Sequence, residues 1–353
     1  MVVIDSSMFR QIISVVISML VLTCCARQQD LDIQRISFSD YSSVPFGQHL
    51  DKMIVVPLSD NGMDDYMFSG FDKVICKNNN IYILDQLNRK IVIFNHAGNP
   101  IMSFSRRGRG PEEYLQITDF DVSEDGSILI LDGQKDILIK YDKEGRFVNA
   151  TPLLWQVNAL KYLRGDRILL NIAPWDKTRD SKGSLIVANS DIKELYRLKL
   201  DNSNKDSNYA LPAQIFNECG KDVLYHEPID DLIYEITADG QLSKAYHVDL
   251  GIKAVPENLR NDIERHREEI RSYQTLVKAV YLDSALFIGS LLSKGMSDFV
   301  IDIERNICYE VDSASFVMLG VSGGYVVYKV MSDISSSDVY APSLAMLPIS
   351  EFI

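Results

Sequence analysis

The chain has 353 residues, long enough for one large domain or two smaller ones. It is 46% hydrophobic and 24% charged, a composition that is typical of folded globular proteins and excludes a largely disordered chain. The formal net charge of −13 at pH 7 argues against a nucleic-acid-binding protein, because an acidic surface repels phosphate backbones.

The first 25 residues have the pattern of an export signal. Arg10 precedes an apolar run from Ile12 to Thr23, and this run ends at Cys24 and Cys25 before a polar stretch. A run of about a dozen residues is too short to cross a bilayer, since a membrane-spanning helix needs about 20. The short positive start, the apolar core and the terminal cysteine resemble the lipobox leader of bacterial lipoproteins. This resemblance implies export, cleavage and attachment of a lipid to cysteine.

Two adjacent cysteines are candidates for attachment of the lipid. Cys25 is favoured because the residues at its −3 and −2 positions fit a lipobox, and Cys24 is the alternative. Asp5 is unusual in a positive leader, so Met8 is a second candidate for the initiator. A buried N-terminal helix is the competing interpretation of residues 1–25.

A self-similar segment recurs at an offset of 47 residues. Residues 80–98 (NIYILDQLNRKIVIFNHAG) align without gaps to residues 127–145 (SILILDGQKDILIKYDKEG). Each copy predicts a strand, a turn that begins with Asp, a second strand and a Gly turn. The recurring residues Asp85 and Asp132 most simply accept N–H bonds from that turn. Residues 223–240 form a weaker third copy, in which Glu227 takes the Asp85 position.

The repeat predicts the architecture. A period of 40 to 50 residues made of short strands is typical of propeller blades, and neither a β-sandwich pair nor a β-helix fits this period as well. About 329 residues follow the leader, room for about seven blades, and insertions reduce the expected number to six. We therefore predict an all-β, six-bladed β-propeller over residues 51–353, after a tether and a lead-in strand over residues 26–50.

One segment departs from the β pattern. Between Pro256 and Ala279, apolar residues recur at helical spacing, namely Leu259, Ile263, Ile270, Tyr273, Leu276 and Val277. Pro256 is a residue typical of a helix start. The pattern predicts one amphipathic helix inserted between blades, with a solvated polar face.

A family resemblance supports the propeller prediction. Residues 108–114 (GRGPEEY), followed by residues 119–122 (DFDV), are similar to the segment that links blades in NHL-like six-bladed propellers. With the lipobox leader and residues 227–236 (EPIDDLIYEI), the chain most resembles six-bladed propeller lipoproteins of Bacteroides-type bacteria. Pro111 and Glu112 depart from the glycine common in NHL proteins. The resemblance implies an NHL/YWTD-like propeller and attachment to the cell envelope, with the outer membrane as the expected site. It implies no reaction.

No catalytic or metal-binding constellation stands out. The five histidines lack an HExxH-type spacing, and adjacent carboxylates on a strand point to opposite faces. We therefore expect no catalytic residue, no metal and no cofactor. Beyond the leader, Cys76, Cys219 and Cys308 are expected to act as small buried hydrophobic residues, and a disulfide of Cys219 or Cys308 stays open.

A basic cluster is the candidate ligand-binding site. Arg106, Arg107 and Arg109 could hold a carboxylate or sulfate between two blades, with Glu112 and Tyr114 beside them. The alternative is a linker whose arginines pair with Glu112 and the neighbouring Glu113.

Taken together, these features predict a monomeric, envelope-anchored propeller that binds a glycan, a peptide or a partner protein without catalysis. The alternative is a propeller enzyme, such as a lyase, lactonase or glycosidase, that uses channel carboxylates or a metal. Convergence of three or more His, Asp or Glu side chains in the channel would favour the enzyme.

Overall fold

The computed structural model describes residues 31–45, 51–179, 183–200, 206, 214–311, 316–331 and 342–352. The expected leader, with Met8, Cys24 and Cys25, lies outside the described residues. In the part of the chain that is described, no helix is long and apolar enough to span a bilayer.

Six antiparallel sheets form the six blades of a propeller, which confirms the predicted fold. Three strands precede the blades: β1 (Ile33–Ser37), β2 (Ser42–Pro45) and β3 (Ile54–Pro57). Blades 1 to 5 each contain four strands in chain order from the channel to the rim. The first strand of each blade is innermost.

The strand bounds are as follows. Blade 1 contains β4 (Lys73–Lys77), β5 (Asn80–Asp85), β6 (Lys90–Asn95) and β7 (Pro100–Phe104); blade 2 contains β8 (Asp119–Val122), β9 (Ile128–Asp132), β10 (Ile137–Tyr141) and β11 (Phe147–Pro152). Blade 3 contains β12 (Val157–Leu163), β13 (Arg167–Ile172), β14 (Leu185–Ala188) and β15 (Glu194–Leu198); blade 4 contains β16 (Phe216–Cys219), β17 (Asp222–Tyr225), β18 (Leu232–Ile236) and β19 (Leu242–Asp249). Blade 5 contains β20 (Thr275–Leu282), β21 (Leu286–Leu292), β22 (Met296–Asp302) and β23 (Ile307–Val311); blade 6 contains β24 (Phe316–Ser322), β25 (Tyr325–Val330) and β26 (Ser343–Pro348).

The N-terminal strands are edge strands of the last three blades. β1 pairs in parallel with β19 of blade 4, and β2 pairs in parallel with β23 of blade 5. β3 pairs antiparallel with β26 and is therefore the outermost strand of blade 6. The ring is thus closed by one sheet that joins an N-terminal strand to three C-terminal strands.

The strands are apolar on both faces because each blade lies between two others. In β5, Tyr82 and Leu84 pack toward blade 2, whereas Ile81 and Ile83 pack toward blade 6. Successive side chains of a strand point to opposite faces, so both sets are removed from water. The same burial explains why the repeat carries apolar residues at successive positions.

Gly98 shows why the repeat ends in glycine. Its φ of 82° is in the left-handed region, and the equivalent Gly145 has a φ of 79°. A Cβ atom on Gly98 would lie 1.9 Å from the carbonyl oxygen of Pro57, so a side chain there would clash with the ring-closing strand β3.

The predicted inserted helix is wrong. The segment forms turns, a three-residue 3-10 helix (Glu257–Leu259) and a four-residue α-helix (Arg267–Ile270), and it enters β20 at Thr275. Leu259, Ile263 and Ile270 are buried together in a small core above blade 4. Compact turns can repeat apolar residues at the spacing of a helix, which is why the periodicity was misleading. Other 3-10 helices are Phe38–Asp40, Asp64–Tyr66, Gly251–Lys253 and Ile349–Glu351.

Candidate functional site

The innermost strand of each blade has one edge that faces the channel and pairs with no other strand of its sheet. Side chains of neighbouring blades form hydrogen bonds with backbone groups along this edge. Lys73 Nζ of blade 1 donates to Asp119 Oδ1 of blade 2 at 2.8 Å and to the Phe120 carbonyl oxygen at 2.8 Å. The other oxygen of Asp119 accepts the backbone N–H of Leu160 in blade 3 at 2.9 Å. One buried carboxylate therefore joins three blades.

A second buried cluster lies further along the channel. Lys161 Nζ lies 3.3 Å from Asp121 Oδ1 and 3.0 Å from Glu218 Oε1, which connects blades 2, 3 and 4. Asp121 Oδ2 also accepts the backbone N–H of Tyr162 at 2.7 Å. Burial works to raise the pKa of Asp121, but the charges of Lys161 and Lys73 and the Tyr162 amide outweigh it and hold the pKa below its ordinary value.

Further polar contacts connect blade 1 to blade 2, blade 5 to blade 6 and blade 4 to blade 5. Lys77 Nζ donates to the Val122 carbonyl oxygen at 3.0 Å, and Lys278 Nζ donates to the Met318 carbonyl oxygen at 2.6 Å. Asn217 Nδ2 donates to the Ala279 carbonyl oxygen at 3.2 Å. Each of these channel side chains therefore bonds to a neighbouring blade and helps to hold the ring together.

Two cavities lie at the channel mouths. The larger, of about 500 Å³, is lined by the turns between the first and second strands of blades 2 to 4 and by Lys77 at the end of β4 in blade 1. Its wall carries basic and acidic residues in equal number: Lys77, Lys140, Lys161, Arg164 and Lys221 against Glu124, Asp125, Asp166, Glu218 and Asp222. The smaller, of about 90 Å³, lies among Asp72, Lys73 and Asp119 at the start of the inner strands. The larger cavity is polar, and Tyr162 is its aromatic lining residue.

Histidines and cysteines are dispersed. Among the described residues, no group of three or more His, Cys, Asp or Glu is placed to hold a metal. His226 is buried, and its Nε2 lies 3.0 Å from the Asp230 carbonyl oxygen. Burial lowers the pKa of His226 to about 4, so the ring is neutral at pH 7. Cys76, Cys219 and Cys308 are free and partly buried.

The recurring aspartates cap turns, as predicted. Asp85 accepts the backbone N–H groups of Ser69 at 2.7 Å and Asn88 at 3.1 Å. Asp132 accepts those of Leu115 at 2.7 Å and Gln134 at 3.0 Å. Each carboxylate therefore ties the loop that enters its blade to the turn between the second and third strands.

In the third repeat copy, Glu227 has a different role. It accepts hydrogen bonds from Tyr225 Oη at 2.6 Å and Arg179 Nη2 at 2.5 Å, and Asn171 Nδ2 lies 3.2 Å away. Burial would raise the pKa of Glu227, but Arg179 and these hydrogen bonds lower it. This network joins blade 3 to blade 4. Sequence reasoning missed it because the segment around Arg179 has no repeat-based alignment.

The predicted ligand-binding residues lie in the linker between blades 1 and 2, and three of them make structural contacts. Arg106 forms an ion pair with Glu112 at 2.7 Å, donates to the Gly145 carbonyl oxygen at 2.9 Å and stacks over Tyr141. Tyr114 is fully buried, and its hydroxyl donates to the Phe104 carbonyl oxygen and accepts the Arg106 backbone N–H, both at 3.0 Å. This is the pairing that the linker alternative predicts.

The other two predicted residues differ from Arg106. The side chains of Arg107 and Arg109 are exposed, and within the described residues neither makes an ion pair or a side-chain hydrogen bond. Glu113, which could have paired with them, accepts the backbone N–H of Gly110 at 2.7 Å instead. The linker thus holds Arg106 in contacts within the protein. It leaves the side chains of Arg107 and Arg109 free to bind a ligand or partner.

Exposed apolar side chains are distributed unevenly. In an antiparallel blade, the connections between blades and those between the second and third strands share one face, which we call the loop face. Among the described residues, nine of the exposed large apolar side chains lie in or beside these connections: Met63, Met67, Leu87, Leu154, Trp175, Ile252, Leu292, Met296 and Met331. The others lie on β1, β3, β7, β11 and β15 at the rim. The described turns of the opposite face carry none.

Comparison with solved structures supports the fold. A protein of Bacteroides fragilis NCTC 9343, assigned as exported, superposes with a TM-score of 0.72 at 16% identity, over 89% of this chain and 99% of that chain. A DUF4221 family member from Bacteroides vulgatus ATCC 8482 has a TM-score of 0.53 at 10% identity, over 84% and 96% of the two chains. A streptogramin B lyase has a TM-score of 0.48 at 11% identity, over 84% and 98%. The first two superpositions, at 16% and 10% identity, show a shared fold alone.

Sequence comparison shows the family. No protein of curated function matches the chain. Residues 33–317, which span β1, β2, β3 and blades 1 to 5, match the domain of unknown function DUF4934. The match covers well over half of the 353 residues, and the chain belongs to the DUF4934 family.

Proposed function

We propose that the protein is an exported, lipid-anchored propeller that binds a partner protein at the cell envelope and catalyses no reaction itself. The observation that carries this proposal is the concentration of exposed Leu, Ile, Met and Trp side chains on the loop face. Ile252 is 99% exposed, Leu154 is 86% exposed and Leu87 is 81% exposed. Exposed apolar side chains that gather on one face of a protein mark a candidate surface for binding another protein, whereas the same side chains scattered singly over a surface do not.

The channel supports a structural interpretation of its charged groups. Asp119, Asp121 and Glu218 bond to lysines and backbone amides of neighbouring blades. A carboxylate used as a general acid or base needs free access to a substrate and a matched pKa. The lowered pKa of Asp121 keeps that group ionised and bound to Lys161, which suits a brace between blades.

The location part of the proposal rests on the leader. A Cys25→Ala variant of the full chain, expressed in a Bacteroides host that is fed an alkyne fatty acid, is expected to lose the lipid label. Cys24→Ala is the matched control and is expected to keep it. Label retained by Cys25→Ala and lost by Cys24→Ala would move the anchor to Cys24, and label on neither parent nor variants would overturn lipid anchoring.

The binding part is tested by photo-crosslinking in intact cells. A photoreactive phenylalanine analogue is placed in turn at Leu87, Leu154, Trp175 and Ile252 on the loop face, and at Lys193 in a turn of the opposite face. We expect a covalent protein adduct from at least one loop-face position and none from Lys193. No protein adduct from any position would overturn the proposal. Stoichiometric metal in the purified protein would overturn its noncatalytic part.

A further inference from the structure

Four segments around blades 1 and 2 form one hydrogen-bonded surface. We call it the linker patch and define it as residues 86–89, 106–118, 133–136 and 153–156. Gln86 Nε2 donates to the Thr118 carbonyl oxygen at 3.0 Å, and Lys135 Nζ donates to the carbonyl oxygens of Gly110 at 3.2 Å and Glu113 at 3.0 Å. The backbone N–H of Leu153 donates to the Asp136 carbonyl oxygen at 2.8 Å. These bonds fix the segments relative to one another.

The buried part of the patch explains its rigidity. Tyr114 anchors the linker in the core between blades 1 and 2, together with Ile117 and Phe120. Tyr141 donates to the Glu112 carbonyl oxygen at 2.6 Å from the blade 2 side. A surface ordered before binding loses little conformational entropy when a partner docks.

The patch is basic in an acidic protein. It contains five basic residues and three acidic residues, whereas the chain has a net charge of −13. Glu112 is already paired with Arg106, and the guanidinium groups of Arg107 and Arg109 have no bond within the described residues. Arginine prefers planar acceptors such as carboxylates, which it binds through two parallel hydrogen bonds.

The patch also holds two of the most exposed apolar side chains of the described chain, Leu87 and Leu154. Leu154 follows Leu153, which is bonded to Asp136, and Arg109 precedes Gly110, which is bonded to Lys135. An apolar side chain and a free arginine therefore lie on the same connected surface. Arginine is among the residue types that contribute most to protein interfaces, and the exposed leucines add apolar area that a partner can bury.

From these observations we propose that the linker patch is the docking site for a partner protein, and that the partner presents carboxylates beside apolar side chains. The proposal rests on the proposed function and specifies its surface. Arg107 and Arg109 line neither channel cavity, so the geometry offers an open surface rather than a pocket for a small molecule. The net charge of −13 opposes an extended anionic surface, such as a nucleic acid or an anionic membrane, whereas a few carboxylates of a partner protein can meet Arg107 and Arg109 locally.

The test uses the full chain in its own envelope. The photoreactive analogue is placed at Leu87 and at Leu154, and the adducts are separated by mass and identified by peptide mass spectrometry. We expect one protein adduct, of the same mass from both positions, whose crosslinked peptide contains Asp or Glu beside apolar residues. In the same background, Arg107→Glu with Arg109→Glu is expected to reduce the adduct yield at least ten-fold, because like charges then face each other.

Two matched variants control for charge and for surface. Lys221→Glu makes the same type of charge reversal at an exposed turn of blade 4 and is expected to leave the yield unchanged. Ile252→Asp removes an exposed apolar side chain elsewhere on the loop face and is expected to leave it unchanged as well. Thermal melting of each variant should match the parent, because none of these side chains is buried.

Each alternative outcome is decisive. Adducts at Ile252 or Trp175 but not at Leu87 or Leu154 would overturn the linker patch and leave the proposed function standing. An adduct of twice the chain mass would identify a second copy as the occupant and would overturn the proposed partner. Full adduct formation after both arginine reversals would overturn the role of charge.

Discussion

Lys73 of blade 1 and Asp119 of blade 2 form a buried ion pair, with 2.8 Å between Nζ and Oδ1. The pair faces the channel, and the second Asp119 oxygen binds the backbone of blade 3. The pair therefore braces the ring, because its bonds connect blades 1, 2 and 3.

Asp119→Asn is expected to destabilise the fold by about 3–5 kcal/mol, because the buried Lys73 ammonium then loses the carboxylate with which it forms its ion pair. The measurement is urea unfolding at pH 7. Lys52→Ala is the control, since Lys52 and Glu351 form an exposed pair at 3.9 Å and such pairs contribute about 0–1 kcal/mol. A loss below about 1 kcal/mol for Asp119→Asn would contradict the brace.

Acid should destabilise the protein through His226. Its pKa is lowered to about 4 in the folded state, against about 6.5 in an unfolded chain. The unfolded state therefore binds more protons between these values, so stability is complete above about pH 6.5 and falls toward pH 4, by about 3 kcal/mol from this group. Urea unfolding across this range measures the slope. His226→Gln, which cannot titrate, should flatten it, and an unchanged slope would exclude His226 as its source.

Closure of the ring can be tested on a single strand. Val56 of β3 is 5% exposed and packs against blades 6 and 1, whereas its neighbour Val55 is 56% exposed. Val56→Asp places a carboxylate in this core and is expected to cost more than 4 kcal/mol or to prevent folding. Val55→Asp changes the same strand on its solvent side and is expected to change stability by less than about 1 kcal/mol. Equal effects in chemical unfolding would show that β3 does not close the ring in this register.

The linker between blades 1 and 2 contains one residue that stabilises the fold, Tyr114, and one whose side chain makes no bond among the described residues, Arg109. Tyr114→Phe removes the hydroxyl that bonds Phe104 and Arg106, and it is expected to cost about 1–3 kcal/mol because a buried carbonyl loses its donor. Arg109→Ala is expected to be neutral within about 0.5 kcal/mol. Thermal and urea unfolding of both variants provide the comparison. A neutral Tyr114→Phe would mean that the linker is not anchored by this hydroxyl.

The first two blades could be predicted from the sequence because they keep the same turn residues. Asp85 and Asp132 bond equivalent amides, and Gly98 and Gly145 take the same left-handed conformation. Each of these turns needs the same Asp and Gly, so the requirement appears in the sequence as a repeat. The turns of blades 3, 5 and 6 are formed by other residues, so these blades show no repeat in the sequence. The number of blades was therefore predicted from chain length and from the family resemblance.

The pairing of strands that are far apart in the chain could not be predicted, because no local sequence pattern indicates it. β1 bonds to β19 more than 200 residues later, as the contact between Arg35 and Asp249 shows. The candidate site was limited in the same way. Arg106 and Arg107 are adjacent and chemically identical, and only the folded linker shows that Arg106 pairs with Glu112 while Arg107 stays free. The periodicity of apolar residues near Pro256 indicated correctly which residues are buried. It did not indicate the backbone conformation of the segment.

The position of β1, β2 and β3 has a consequence for the order of folding. These strands leave the ribosome first, yet their partners β19, β23 and β26 are made near the end of synthesis. Contacts of such high sequence separation form slowly, and the early strands wait with unpaired edges and apolar residues in water. The propeller therefore cannot close while it is being synthesised. Its final step is the capture of the first strands by the last blades, after the whole chain is available.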